Sequence, residues 1–164
     1  MKKVIILMLL VMPLSIMAQK FGHFNSSEII QLMPEYTSAQ AELQKLQSTY
    51  EADLKSMQEE LERKAKAYEA AYDSLPQNIR TRRETELTEL QQRIQTTYSD
   101  NQQELQKVSN ERMQTISERL LAAVKSIGDA DNYVYIMDVT AGVPYISTTL
   151  STDVTAQIKQ KLGL

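Results

Sequence analysis

From Tyr36 onward, apolar or small residues recur at Ala39, Leu43, Leu46, Tyr50, Leu54, Met57, Leu61, Ala65, Tyr68, Ala71 and Leu75. Each step is three or four positions, and eleven steps cover 39 residues. That average lies between the repeat of a coiled-coil seam and that of a straight helix. The intervening positions are mostly Glu, Gln, Lys, Ser and Thr, so the pattern predicts one long amphipathic helix. After the stretch SLPQNIR (Ser74 to Arg80) it resumes with Ile79, Leu87, Leu90, Ile94, Tyr98, Leu105, Val108, Ile116, Leu120, Val124 and Ile127. Neither proline nor glycine occurs between Gln77 and Gly128, which predicts a second long helix with Gly128 as its C-cap. Pro76 is the one proline inside this run, and it predicts a helix stop.

The two ends of the chain change period. Lys20 to Asn25 reads as a short strand carrying Phe21 and Phe24, closed by Asn25 and Glu28 at capping-box spacing. Ile29, Ile30, Leu32 and Met33 give a short helix, and Pro34 suits the first turn of the long one. Tyr133 to Val139 is β-branched and aromatic, as strands are. Ala141-Gly142 offers a turn, and Val143-Pro144-Tyr145-Ile146 reads as a further short strand. Thr152 or Asp153 is placed to cap a final helix, Val154 to Leu162.

These strands decide what Pro76 does. A continuous rod would hold Phe21 and Tyr133 more than about 100 Å apart, at about 1.5 Å per residue. If they share a sheet, the helices must go out and return, with a turn near residues 76–78. Facing residues then have numbers adding to about 155. The seam so formed sets Tyr50, Met57, Leu61 and Tyr68 against Leu87, Leu90, Ile94, Tyr98 and Leu105. Asn101 and Arg112 fall at seam positions opposite Leu54 and Leu43, where polar groups would thin it. The expected fold is mainly α with a small β body: a long antiparallel helical hairpin, residues 35–127, projects from a short-stranded sheet. Residues 19–34 and 128–164 supply that body, with Phe21, Phe24, Val134, Ile136, Val143 and Tyr145 as its apolar residues.

Composition adds location and excludes several activities. Lys2 and Lys3, the apolar run Val4 to Met12 and the small Ala18 make residues 1–18 a cleavable export signal, with a mature chain from about Gln19. There is no cysteine, hence no disulfide framework. Without Lys2 and Lys3, 16 basic residues remain of the 18, against 21 acidic ones. An acidic chain lacks the footprint expected for nucleic acid. Residues 35–75 carry nine acids and five bases, while Arg80, Arg82 and Arg83 form a small basic cluster beside Pro76. His23 is the only histidine, and the chain has four glycines, so neither a metal-ligand set nor a phosphate loop is evident. No enzyme activity and no cofactor are expected.

Phe21-Gly22-His23-Phe24-Asn25-Ser26, with Ile29 to Pro34-Glu35-Tyr36 after it, resembles the opening of the Skp/OmpH family of periplasmic chaperones. So do Met137-Asp138, Val143-Pro144-Tyr145 and Asp153-Val154-Thr155 near the close. The resemblance implies a periplasmic homotrimer built on the sheet, with the hairpins as tentacles around a cavity. It further implies an ATP-independent holdase that takes unfolded outer-membrane or secreted proteins as clients. Tyr72, Met113 and Leu121 lie off the seam and, with Arg80, Arg82 and Arg83, are the expected client contacts. The acidic arm departs from the strongly basic arms of some members, which argues against direct lipid or lipopolysaccharide binding. The alternative is a structural or adaptor coiled coil of the cell envelope.

Overall fold

The computed structural model describes residues 19–164; the export signal expected over residues 1–18 lies outside them. The chain runs β1 (Lys20–Phe24), α1 (Ser26–Ile30), α2 (Pro34–Ala71), a 3-10 turn (Tyr72–Ser74), α3 (Gln77–Asp131), β2 (Tyr133–Asp138), β3 (Ser151–Asp153) and α4 (Thr155–Leu162). It is mostly helical with one small sheet. It divides into two compact units, residues 19–26 with 122–163, and Ser27–Leu121. No described helix is long and apolar enough to cross a membrane.

The larger unit is an antiparallel hairpin. Glu35 pairs with Arg119 and Glu42 with Arg112 near its open end. Lys64 pairs with Glu86, and Tyr68 bonds Glu84, near the turn. Ile29, Met33, Ile116 and Leu120 are buried at or near the open end, whereas between Gln40 and Thr115 only Leu90 is buried. A two-helix seam has solvent along both flanks, so its middle residues are covered only in part.

The turn lies earlier than the sequence reading placed it. α2 ends at Ala71, the 3-10 turn follows, and Leu75 is extended at φ −84, ψ 135, as a residue before proline must be. The carbonyl of Pro76 accepts the amides of Ile79 and Arg80. Pro76 therefore starts the second helix instead of stopping the first; it has no N–H to leave unsatisfied there. At the far end α3 continues through Gly128 to Asp131, and Asn132 takes the left-handed conformation at φ 57. Asparagine tolerates that region, so Gly128 is not the cap; a Cβ at Gly128 would meet Ile136 at an ordinary 3.7 Å.

In the smaller unit, β1 is the central strand, flanked in parallel by β2 and β3. Parallel partners require long crossovers, and the chain from α1 to α3 supplies the first. The second corrects the sequence reading: Val143–Ile146 forms no strand, and β3 lies at Ser151–Asp153. Pro144 lacks the N–H a ladder needs. β3 instead brackets β1 with Val154 N–H donating to the His23 carbonyl (2.9 Å). The Asp153 carboxylate accepts the Thr155 N–H at 2.9 Å, which supports the start of α4. Gly163 closes α4 at φ 78.

Candidate functional site

Registered neighbours in a sheet point to the same side. Phe21 pairs with Tyr135 and Ser151, and His23 with Met137 and Asp153, so these six share one face. Gly22, Phe24 and Ile136 point to the other. Phe24 is 4% exposed, and Ile136 approaches Gly128 of α3, so that second face belongs to the core.

The first face is open. Tyr135 and Met137 are about half exposed, and the segment after β2 adds Tyr145 at 81% and Leu150 at 76%. Together with Phe21, His23, Val143 and Ser151 they outline a hollow of about 310 Å³. Phe21 and Tyr135 stack at 4.9 Å between ring centroids, and His23 Nδ1 lies 2.8 Å from Ser151 Oγ. At the end of β2, Asp138 accepts the amides of Ser26 (3.2 Å) and Thr140 (3.0 Å). Burial pushes that carboxyl upward, but these hydrogen bonds outweigh it and hold it below the ordinary carboxylate range. Asp153 is also held low, chiefly by its hydrogen bond from Thr155 and against its burial.

Of the six residues expected in the body, Phe24 is buried, Phe21, Ile136 and Val143 are half-buried, and Val134 and Tyr145 are exposed. Sequence reasoning missed Tyr135, Met137 and Leu150. Alternation along β2 offered two equivalent faces, and only the packing of Ile136 toward Gly128 distinguishes them.

In the hairpin, Leu90 is buried, and Tyr50, Met57, Leu61, Tyr68, Leu87, Ile94 and Leu105 are half-buried. Tyr98 is not in the seam: it is 57% exposed, and Thr97 is covered in its place. Steps of three and four from Ile94 both satisfy a helical period, and the helix phase takes three. Arg112 is not in the seam either. It lies on the surface and donates to both oxygens of Glu42, at 2.7 and 2.8 Å. Asn101 does lie there, with Nδ2 buried and without a hydrogen-bond partner among the described residues.

The three arginines by the turn have different surroundings. Arg80 Nε donates to the Leu75 carbonyl (2.9 Å), and its guanidinium sits 4.9 Å from the centre of the Tyr72 ring. Arg83 pairs with Glu86 at 3.1 Å, beside Lys64, which also reaches Glu60 at 3.3 Å. Arg82 is exposed. Tyr72, Met113 and Leu121 are exposed too, the last at 59%.

Tyr68 donates its hydroxyl to Glu84 Oε1 at 2.5 Å, and that bond raises its pKa to about 12. A group whose folded pKa is raised gives stability that is complete below its ordinary value near 10 and lost as pH climbs toward 12. An absorbance titration should therefore show one late-ionising tyrosine, absent in Tyr68→Phe and shifted earlier in Glu84→Gln. Ionisation of all tyrosines in a single phase near pH 10 would contradict it.

The family model for outer membrane protein (OmpH-like) matches residues 20–162. Among solved structures, an OmpH-like protein of Caulobacter crescentus CB15, described as an outer membrane chaperone, superposes with a TM-score of 0.75. It is 17% identical, and the alignment covers 88% of this chain and 83% of that one. No curated protein matches the chain by sequence.

Proposed function

The chain belongs to the OmpH-like outer membrane protein family, and from that premise we propose that it is an ATP-independent holdase of the periplasm. It keeps unfolded outer-membrane or secreted proteins from aggregating and works as a homotrimer. The observation that carries this reading is the distribution of exposed apolar side chains. Along the hairpin they stand singly, as Tyr72, Tyr98, Met113 and Leu121 do. In the β body they gather on one sheet face, as Tyr135, Met137, Tyr145 and Leu150 do.

These two arrangements suit different partners. Single apolar side chains give many weak contacts, which retain a client and still release it. A sheet face on which Tyr135, Met137, Tyr145 and Leu150 stand exposed around His23 and Ser151, beside the edge strand β2, needs a permanent cover. Further copies of the chain provide one, and three copies would set three hairpins around a shared space. Arg82 and the exposed side of Arg83 then serve as secondary contacts for acidic client segments.

The test joins size with activity. Sedimentation of the mature chain should give a trimer. The trimer should keep a β-barrel protein soluble on dilution from urea, at about one trimer per client. A monomer, or a rod without effect on aggregation, would overturn the proposal and favour an adaptor coiled coil.

A further inference from the structure

Toward the open end of the hairpin, α2 and α3 flank an open groove of about 540 Å³. Gln40, Gln44 and Gln47 line one side and Gln102 and Gln106 the other, with Leu43 and Leu105 half-buried between them. No charged residue lines it, although 24% of the chain is charged. Of the ion pairs that cross the hairpin, Lys64–Glu86 lies toward the turn, while Glu42–Arg112 stands beside the groove, with Glu42 between Gln40 and Gln44 on α2 but not among its lining residues. Gln47 and Gln106 are engaged along their own helices, with Glu51 (2.8 Å) and Asn110 (2.9 Å). The side-chain amides of Gln40, Gln44 and Gln102 have no hydrogen bond among the described residues.

A carboxamide offers two donors and an acceptor and carries no charge. An extended main chain offers one donor and one acceptor per residue, whatever its sequence. Gln40 to Gln47 spans about 10 Å along a helix, the length of about three extended residues. Charged walls would reject client segments of like charge, while uncharged amide walls accept all of them. The leucines between the walls give alternate client side chains an apolar surface.

We propose that this groove binds the extended main chain of an unfolded client, independently of its sequence. The inference rests on the holdase reading and adds the chemical group that is recognised. Its occupant is a neutral polar backbone, matched to the groove by its lack of charge and its paired donors and acceptors.

The probes are an uncharged Gly-Ser-Thr peptide and the same peptide with an N-methylated backbone, added to the full mature chain. The parent peptide should shift the side-chain amide NMR signals of Gln40, Gln44 and Gln102. N-methylation should weaken binding about tenfold, because several individually modest hydrogen bonds are lost together. The triple variant Gln40→Ala, Gln44→Ala, Gln102→Ala should lose affinity by a similar factor with an unchanged melting curve, since alanine favours exposed helix. Equal binding of the methylated peptide, or shifts confined to Tyr72 and Met113, would overturn the proposal. So would amide shifts that depend on protein concentration without peptide, because a second copy would then fill the groove. If the wild type holds an unfolded barrel and the triple variant holds it equally well, with the amides unmoved, the groove fails alone. If the wild type holds no barrel yet the peptide moves the amides, the holdase reading fails and the groove stands.

Discussion

Tyr135→Glu with Met137→Glu should sediment as a monomer and lose the ability to keep a diluted barrel protein in solution. Both side chains are about half exposed in the single chain, so the chain's own fold gives up little. The stacking of Tyr135 on Phe21 contributes about 1 kcal/mol, and that is the main internal loss. In an assembly that covers this face, two carboxylates would lie near each other and near Asp153, with His23 the one basic side chain registered beside them. Each unpaired buried charge costs several kcal/mol, enough to shift association by a thousandfold or more, at about 1.4 kcal/mol per factor of ten. The helical signal should be retained while mass falls to that of one chain. A double variant that remains trimeric would remove this face from the assembly.

Gly22→Val should destabilise the β body by about 3 kcal/mol, the upper end of the usual overpacking cost. A Cβ at Gly22 would stand 3.1 Å from Ile136 Cγ1 and 3.2 Å from two carbons of the Tyr133 ring. Gly22 lies in the central strand, paired to Ile136 on one side and Thr152 on the other, so the backbone has no free side to move toward. Gly22→Ala asks its neighbours for a few tenths of an ångström and should cost about 1 kcal/mol; valine adds two methyl groups to the same space. The urea midpoint measures both. Ile136→Ala placed on the valine variant should recover part of the loss, because it removes the nearest obstacle. An unchanged midpoint in Gly22→Val would mean that Ile136 and Tyr133 move aside freely.

The parts of the fold legible in the sequence share one property: they are set by neighbours along the chain. A period of three to four residues from Tyr36 to Leu75 and again to Ile127 specifies two helices in any surroundings. Pro34 opens α2, and β-branched and aromatic residues mark β1 and β2. The return of the chain near Pro76 followed from a distance argument, since two strands so far apart in sequence cannot share a sheet along a rod.

Tertiary packing decided the rest. Tyr98 and Thr97 fit the helical period equally, and the phase against α2 leaves the tyrosine outside. Gly128 looks like a cap in isolation, but the left-handed position falls to Asn132, four residues on. Val143 to Ile146 has strand-like residues, yet the free edge of β1 is taken by Ser151–Asp153, whose composition gives no strand signal. Likewise the five glutamines of the groove between α2 and α3 are unremarkable singly along the chain and meet only when the two helices fold together. Period and chain breaks are local and survive in the linear sequence. Which strand pairs, which helix phase is buried and which sheet face stays open depend on contacts between distant residues, and those exist only in the folded chain.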